Sequence, residues 1–146
     1  MNNMSENKSI QLGLCCLNMT LRAQNPSVFS SRKMIIRCVK QKGIFALKQK
    51  IIQNLEDTIK LIEWNEKNGI KVFRLSSQLF PHKTNPCVED YTYDFAIDLL
   101  KQIGETARKY NQRLTFHPGQ YNVLASKTKK ALEQTIKDLE YHADVL

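Results

Sequence analysis

The sequence predicts an α/β fold built from parallel βα units, and two observations lead to this prediction. Short apolar segments that suit buried strands begin near Ile10, Ile70 and Arg113. Each is followed by a segment whose apolar residues recur every three or four positions, as in a helix that buries one face. Strands that alternate with helices form parallel sheets with helices on their faces. The 146 residues are enough for one domain of this kind.

The N-terminal third is expected to contain one strand and one basic helix. Residues 1–9 are polar and are expected to form a disordered tail, which leaves residues 10–146 as the folded part. The first strand is expected from Ile10 to Leu17. Ser31 is a suitable N-cap for a helix from Arg32 to Lys42, which Gly43 would end.

The rest of the chain continues the alternation. A long helix ends at Asn68-Gly69, a second strand covers Ile70 to Ser77, and a helix is expected from Tyr91 to Tyr110. The third strand is expected from Arg113 to Phe116, and Ser126 is a plausible N-cap for the last helix. The apolar residues expected to face the core from that last helix are Leu132, Ile136, Leu139, Ala143 and Leu146.

Composition excludes several classes of protein. No run of 18 or more apolar residues could cross a membrane, and the N-terminus lacks the apolar stretch of a signal peptide, so we expect an intracellular protein, cytoplasmic or nuclear. The four cysteines include no CxxC pair and no zinc-finger spacing. We expect them to be buried thiols.

A basic stretch could contact nucleic acid. The net charge is +8, and residues 21–50 contain eight basic residues and no Asp or Glu. Such a stretch can face phosphates, although it could equally be a solvated helix face. Its basic residues are Arg22, Arg32, Lys33, Arg37, Lys40, Lys42, Lys48 and Lys50.

Polar residues follow each predicted strand, where parallel α/β proteins place their functional groups. Asn18 follows the first strand, Ser76-Ser77 and then His82 follow the second, and His117 follows the third. His117 precedes Pro118-Gly119, a tight turn that leaves the imidazole accessible to a metal, although a hydrogen-bonding role is also open.

Two further residues near these strand ends have alternative roles. Taken alone, His142 is a histidine on the flank of the last helix. Tyr121 lies in an expected loop beside Gln120, and this pair could stack on a base and fill a gap in a duplex. Packing of Tyr121 against Leu124 is the alternative.

Together these segments resemble the UV-damage endonuclease family from about Leu12 to the end of the chain. The matching stretches are Leu12-Gly13 with Asn18-Met19-Thr20-Leu21, Glu63-Trp64-Asn65-Glu66-Lys67-Asn68, Phe73-Arg74-Leu75-Ser76-Ser77 with Leu79-Phe80-Pro81, His117-Pro118-Gly119-Gln120-Tyr121, and Asp138-Leu139-Glu140-Tyr141-His142.

The resemblance implies a (β/α)₈ TIM-barrel nuclease, of which this chain would hold only the first βα units. It implies an enzyme that nicks damaged double-stranded DNA 5′ to UV photoproducts with a divalent metal cluster, most often Mn²⁺, with Zn²⁺ or Mg²⁺ as alternatives. His117 and His142 would be metal ligands, Gln120 and Tyr121 would probe the lesion, and Asn18 would lie near the flipped nucleotides. Arg22, Arg32 and Lys33 would contact phosphates.

The chain departs from the family pattern at three points. The family commonly has a tyrosine where this chain has Leu14. The histidine expected after the second strand falls near Thr84-Asn85, whereas this chain has His82, which is the third candidate ligand. The remaining metal ligands, a modified lysine among them, come from later strands that this chain does not contain, so we expect it to be incomplete without a C-terminal half.

Two other interpretations of the residues stay open. Another metal-dependent TIM barrel, such as an apurinic endonuclease or a sugar isomerase, also combines histidine and carboxylate ligands. A non-catalytic DNA-binding fragment would show affinity that falls steeply with salt and does not depend on damage or metal.

Overall fold

The computed structural model describes residues 10–146, so the predicted tail, residues 1–9, lies outside the described residues. These residues form one parallel sheet whose strands lie side by side in chain order. The strands are β1 (Gly13–Cys15), β2 (Val72–Ser76) and β3 (Arg113–His117). The helices are α1 (Met19–Arg22), α2 (Ile36–Lys67), α3 (Ile97–Lys109) and α4 (Lys129–Val145). The predicted α/β class with parallel strands is confirmed.

Helix α2 packs a continuous apolar stripe against the sheet. Leu47, Ile51, Leu55 and Ile62 are fully buried, as is Phe73 on the central strand β2. Gly43 interrupts the helix with a φ of 78°, a conformation that glycine adopts without steric cost. The kink at Gly43 divides the basic N-terminal part of α2 from the stripe that anchors it.

The predicted start of the basic helix is wrong. The helix begins at Ile36, and Ser31 does not cap it. The Arg32 N–H donates to Oδ1 of Asn54 at 2.8 Å, and Nδ2 of Asn54 donates to the Arg32 carbonyl at 3.0 Å. Because both backbone groups of Arg32 are bonded to a buried side chain of α2, the chain stays extended here instead of turning into a helix.

Two other predicted helix starts are too early. Helix α3 begins at Ile97, after a 3₁₀ turn (Asp94–Ala96), and Tyr91 is instead buried with its hydroxyl donating to the Pro81 carbonyl at 2.9 Å. Helix α4 begins at Lys129, with Thr128 in extended conformation at the N-cap position, and the Ser126 hydroxyl accepts a hydrogen bond from the Thr128 N–H at 3.2 Å in the preceding turn.

The predicted core face of α4 is wrong in part. Leu132 and Leu139 are half-buried, but Ile136, Ala143 and Leu146 are exposed. The buried residues of this helix are Thr135, Tyr141 and His142. This helix turns a largely polar face towards the ends of β2 and β3.

The first strand is shorter than predicted, and the cysteines are not buried. Cys16 has a φ of 59° and ends β1, so only Gly13–Cys15 pairs with β2. Cys15 and Cys87 are exposed, and Cys16 and Cys38 are partly exposed. The Cys15 thiol accepts a hydrogen bond from the guanidinium of Arg74 on the neighbouring strand, which replaces the apolar surroundings we expected. Within residues 10–146 no helix is long and apolar enough to cross a membrane.

Candidate metal and DNA-binding site

The carboxyl ends of β2 and β3 place polar side chains side by side. Ser76 and His117 are register partners at the last position of the parallel pair. His117 is exposed, as expected for the residue that follows a strand and precedes a Pro-Gly turn. The carboxyl end of the sheet therefore presents an accessible imidazole next to the loop that follows β2.

His142, on α4, lies near the same carboxyl end of the sheet. Its side chain is 5% exposed, and neither ring nitrogen has a hydrogen-bond partner among the described residues. The ring packs on Phe116 of β3 at a centroid distance of 4.6 Å and on Tyr141 at 4.7 Å. A buried polar group without a partner costs free energy, so its retention needs a reason.

The electrostatics of His142 favour the neutral ring. Burial lowers the pKa of His142, and nearby His117 lowers it further, while the Asp138 carboxylate acts in the opposite direction. A neutral imidazole with a free nitrogen is the form that binds Mn²⁺ or Zn²⁺.

His117 and His142 are candidate metal ligands, but the described residues do not form a metal site by themselves. His117 and His142 fit a metal, because one is accessible at a strand end and the other has two orphaned nitrogens. Within residues 10–146, however, no group of three or more His, Cys, Asp or Glu side chains is close enough to hold a metal ion. These histidines could provide two ligands to a site completed by other groups.

His82 is engaged within the chain. Its Nε2 donates to the Met34 carbonyl at 2.5 Å, and its Nδ1 accepts from Nδ2 of Asn85 at 3.3 Å. One tautomer satisfies both contacts. The geometry therefore gives His82 a role in joining the loop after β2 to the segment before α2, and leaves no nitrogen free for a metal in this conformation.

A cleft of about 180 Å³ lies between α4 and the loops that follow β2 and β3. Tyr141 and His142 line it from α4, His82 and Thr84 from the first loop, and Tyr121 from the second. Of the predicted site residues, the cleft thus brings together His82, Tyr121 and His142. His117, Gln120 and Asn18 do not line it.

Tyr121 is free to meet a ligand. Its side chain is 83% exposed, and Leu124 is itself 62% exposed, so neither residue buries the other. Gln120 is exposed beside it.

Asn18 has a structural role that leaves one group free. Its Oδ1 accepts from the Leu21 N–H at 2.9 Å and caps α1, whereas its buried Nδ2 has no hydrogen-bond partner among the described residues. The unsatisfied amide nitrogen is compatible with a ligand at the end of β1.

The predicted phosphate-contacting residues differ in their exposure and in their contacts within the chain. Arg22 and Lys33 are exposed. Arg32 forms an ion pair with Asp57 at 2.6 Å and lies 4.0 Å above the ring of Phe29. Its guanidinium thus holds the segment before α2 against the helix.

Sequence reasoning missed Asp138, which links the loops of the cleft through Asn122 and Thr84. The one signal that the sequence offered was the spacing of Asp138 and His142, which are four residues apart and therefore on the same face of α4.

Comparisons with known proteins agree with this architecture. The UV-damage endonuclease of Schizosaccharomyces pombe is 43% identical over 136 residues, which cover 93% of this chain and 22% of that protein. The UV DNA damage endonuclease of Halalkalibacterium halodurans is 30% identical over 139 residues, covering 94% of this chain and 43% of that protein. The chain therefore spans less than half the length of these relatives.

The solved structure of SacUVDE matches with a TM-score of 0.83 at 26% identity, over 94% of this chain and 45% of that one. The predicted TIM-barrel class, represented by a partial barrel of three strands, is confirmed. The family model described as UV-endonuclease UvdE matches residues 10–146. This chain therefore belongs to the UV-endonuclease UvdE family.

Proposed function

We propose that this chain is part of a DNA repair endonuclease that nicks the backbone 5′ to UV photoproducts with the help of divalent metals. The observation that carries the proposal is the buried ring of His142 beside His117 in a chain of the UV-endonuclease family. Neither nitrogen of that ring has a hydrogen-bond partner within residues 10–146. Damaged double-stranded DNA is the proposed substrate. The missing ligands would come from a C-terminal half, because the described residues supply too few.

His117 and His142 would hold the metal, with Mn²⁺ as the first choice and Zn²⁺ or Mg²⁺ as alternatives. Bound divalent metals can activate a water and stabilise the leaving oxygen of a phosphodiester. The contribution of this chain at His142 is to keep the ring neutral and fixed: burial lowers the pKa of His142 and so disfavours its protonation, and Phe116 and Tyr141 restrict its ring.

Gln120 and Tyr121 would probe the lesion. An exposed aromatic ring on a loop at the mouth of the cleft can stack where a damaged base has left the helix, and the neighbouring amide can hydrogen-bond to base edges. Asn18 would act near the displaced nucleotides through its Nδ2, which has no hydrogen-bond partner in the described part of the chain.

Arg22 and Lys33 would contact phosphates, because both are exposed. Arg32 would support these contacts by fixing the segment, since its guanidinium is paired with Asp57.

The test is a nicking assay of the full-length protein on a UV-irradiated duplex with Mn²⁺. We expect a nick 5′ to the photoproduct, and we expect His117→Ala to abolish it. A folded protein that does not nick this duplex would refute the proposed function, and an active His117→Ala protein would remove the ligand role of His117.

Two further arms of the assay separate the remaining alternatives. His82→Gln should retain activity if the His82 nitrogens serve only the fold, whereas loss of bound metal in this variant would return His82 to the ligand set. Cleavage of an abasic duplex without cleavage of a photoproduct would indicate an apurinic endonuclease instead.

A further inference from the structure

The Asp138 carboxylate accepts hydrogen bonds from donors in three segments of the chain. Its Oδ1 accepts from the Thr84 hydroxyl, in the loop after β2, and from Nε2 of Gln134 at 3.0 Å, one turn earlier in α4. Its Oδ2 lies 2.7 Å from the side-chain amide of Asn122. The amide orientation that satisfies its neighbours turns the nitrogen towards Asp138, where it donates to Oδ2, and the oxygen towards the Gly119 N–H, from which it accepts at 3.2 Å.

Other residues of α4 reinforce these bonds. Nε2 of Gln134 also donates to the Thr84 carbonyl at 3.1 Å, and the Val123 N–H donates to the buried Thr135 hydroxyl at 3.1 Å. One face of α4 thus holds both loops that line the cleft beside His142. Asp138 is the only one of these side chains that bonds to both loops through its own atoms.

We propose that Asp138 is a positioning residue: it couples the probe loop, residues 119–123, to the Thr84 loop and thereby sets how strongly the protein prefers a lesion to undamaged DNA. This inference rests on the proposed function, in which Tyr121 probes the damaged site. Tyr121 is 83% exposed and gains no rigidity from packing of its own ring. The order of its loop must therefore come from neighbours such as Asn122, and a probe that is already ordered loses less entropy on binding.

Asp138→Asn changes one contact and preserves the others. The new carbonyl oxygen can still accept from Thr84 and Gln134 at the Oδ1 position. Its amide nitrogen then faces the Asn122 nitrogen, so two donors oppose each other. If Asn122 instead turns its amide so that the oxygen accepts from the introduced amide, its nitrogen faces the Gly119 N–H, and two donors again oppose each other. One hydrogen bond is lost in either orientation.

The reciprocal change restores the pattern. In the double variant Asp138→Asn with Asn122→Asp, the carboxylate introduced in the probe loop accepts both from the amide introduced on α4 and from the Gly119 N–H. Asp144→Asn is the matched control, because Asp144 is exposed on the same helix and its carboxylate forms no hydrogen bond or ion pair with either loop within residues 10–146, so the substitution removes the same charge without breaking a bond.

The experiment compares binding of two duplexes by the full-length protein, one with a single thymine photodimer and one undamaged. We expect Asp138→Asn to weaken photodimer binding about tenfold, as for one lost charge-assisted hydrogen bond, with undamaged binding unchanged. The double variant should recover wild-type preference, and Asp144→Asn should match the wild type. Equal weakening on both duplexes, or no recovery in the double variant, would overturn the proposal.

A second measurement separates this inference from the proposed function. Amide hydrogen exchange should speed up in residues 119–123 and around Thr84 in Asp138→Asn, and return to wild-type rates in the double variant. If the wild type shows no preference for the photodimer, the proposed function fails, and with it the discriminating role of Asp138. Unchanged exchange in both loops would refute the coupling itself, whatever the substrate.

Discussion

The unpartnered ring of His142 leads to a prediction about stability: His142→Leu should make the metal-free protein more stable. A neutral imidazole has one donor and one acceptor, and both are buried here without partners among the described residues. Each such group costs about 1–3 kcal/mol. Leucine removes both and fits a similar volume, although it gives up the aromatic contacts with Phe116 and Tyr141, worth about 0.5–1.5 kcal/mol. With about 2 kcal/mol for each of the two unsatisfied groups and about 1 kcal/mol for each of the two aromatic contacts, the net gain should be about 2 kcal/mol.

The neighbouring residue provides a matched control with the opposite sign. The Tyr141 hydroxyl donates to the Ser77 carbonyl at 3.2 Å and accepts from the Phe80 N–H at 3.1 Å. Tyr141→Phe would leave the buried Phe80 N–H and the partly buried Ser77 carbonyl without that partner and should cost about 1–3 kcal/mol. Loss of the polar atoms should therefore raise the free energy of unfolding at His142 and lower it at Tyr141.

The assay is equilibrium urea denaturation of the full-length protein, first with a chelator and then with Mn²⁺. Mn²⁺ should raise the free energy of unfolding of the wild type, because a ligand that binds only the folded state stabilises it, and should have a much smaller effect on His142→Leu. If His142→Leu is less stable than the wild type in chelator, the ring is satisfied in solution and the argument from its orphaned nitrogens is wrong. If Mn²⁺ stabilises both proteins equally, His142 is not a ligand.

Three further predictions concern other parts of the chain. Burial alone would raise the pKa of Asp57, but hydrogen bonds from Lys60, Arg32 and the Phe29 N–H outweigh it and lower the pKa. This stabilisation is present above the unfolded-state pKa of about 3.9 and is lost as the pH falls through the lower folded-state pKa, so Asp57→Asn should reduce stability at pH 7 and flatten its acid dependence in urea titrations. Tyr121→Ala should change the free energy of unfolding by less than about 0.5 kcal/mol yet weaken photodimer binding about tenfold or more, which anisotropy would measure. Lys33→Gln should reduce the slope of log affinity against log salt by about 1, whereas Lys101→Gln on α3 should not, and equal slopes would remove Lys33 from the interface.

Hydropathy patterns were enough to predict the sheet and its helices, because the spacing of apolar residues within each strand or helix is a local property of the sequence. The errors lie where contacts distant in sequence decide the backbone. Arg32 stays extended because Asn54, 22 residues later, bonds both of its backbone groups. Tyr91 leaves the predicted helix because its hydroxyl reaches the Pro81 carbonyl. Neither contact has a counterpart in the spacing of apolar residues.

The site was predictable only in part for a related reason. Resemblance to a family pointed to His117, His142 and Tyr121, because these residues occur in recognisable short stretches. The Thr84–Asp138 bond joins residues 54 apart, and nothing in either neighbourhood indicates it. Resemblance likewise gave no indication that Arg32 pairs with Asp57 inside the chain.

The buried face of α4 was predicted wrongly because this face is largely polar. Amphipathic spacing selected Ile136 and Leu146, which are exposed, because a helix usually buries its apolar stripe. Burial of a polar face is stable only when each polar group has a partner. Thr135 and Tyr141 meet this requirement through hydrogen bonds to the loops and to the end of β2. His142 is the exception on this face, and because its neighbours are so fully satisfied, a ligand from outside the described residues is the simplest physical reason for an imidazole at that position.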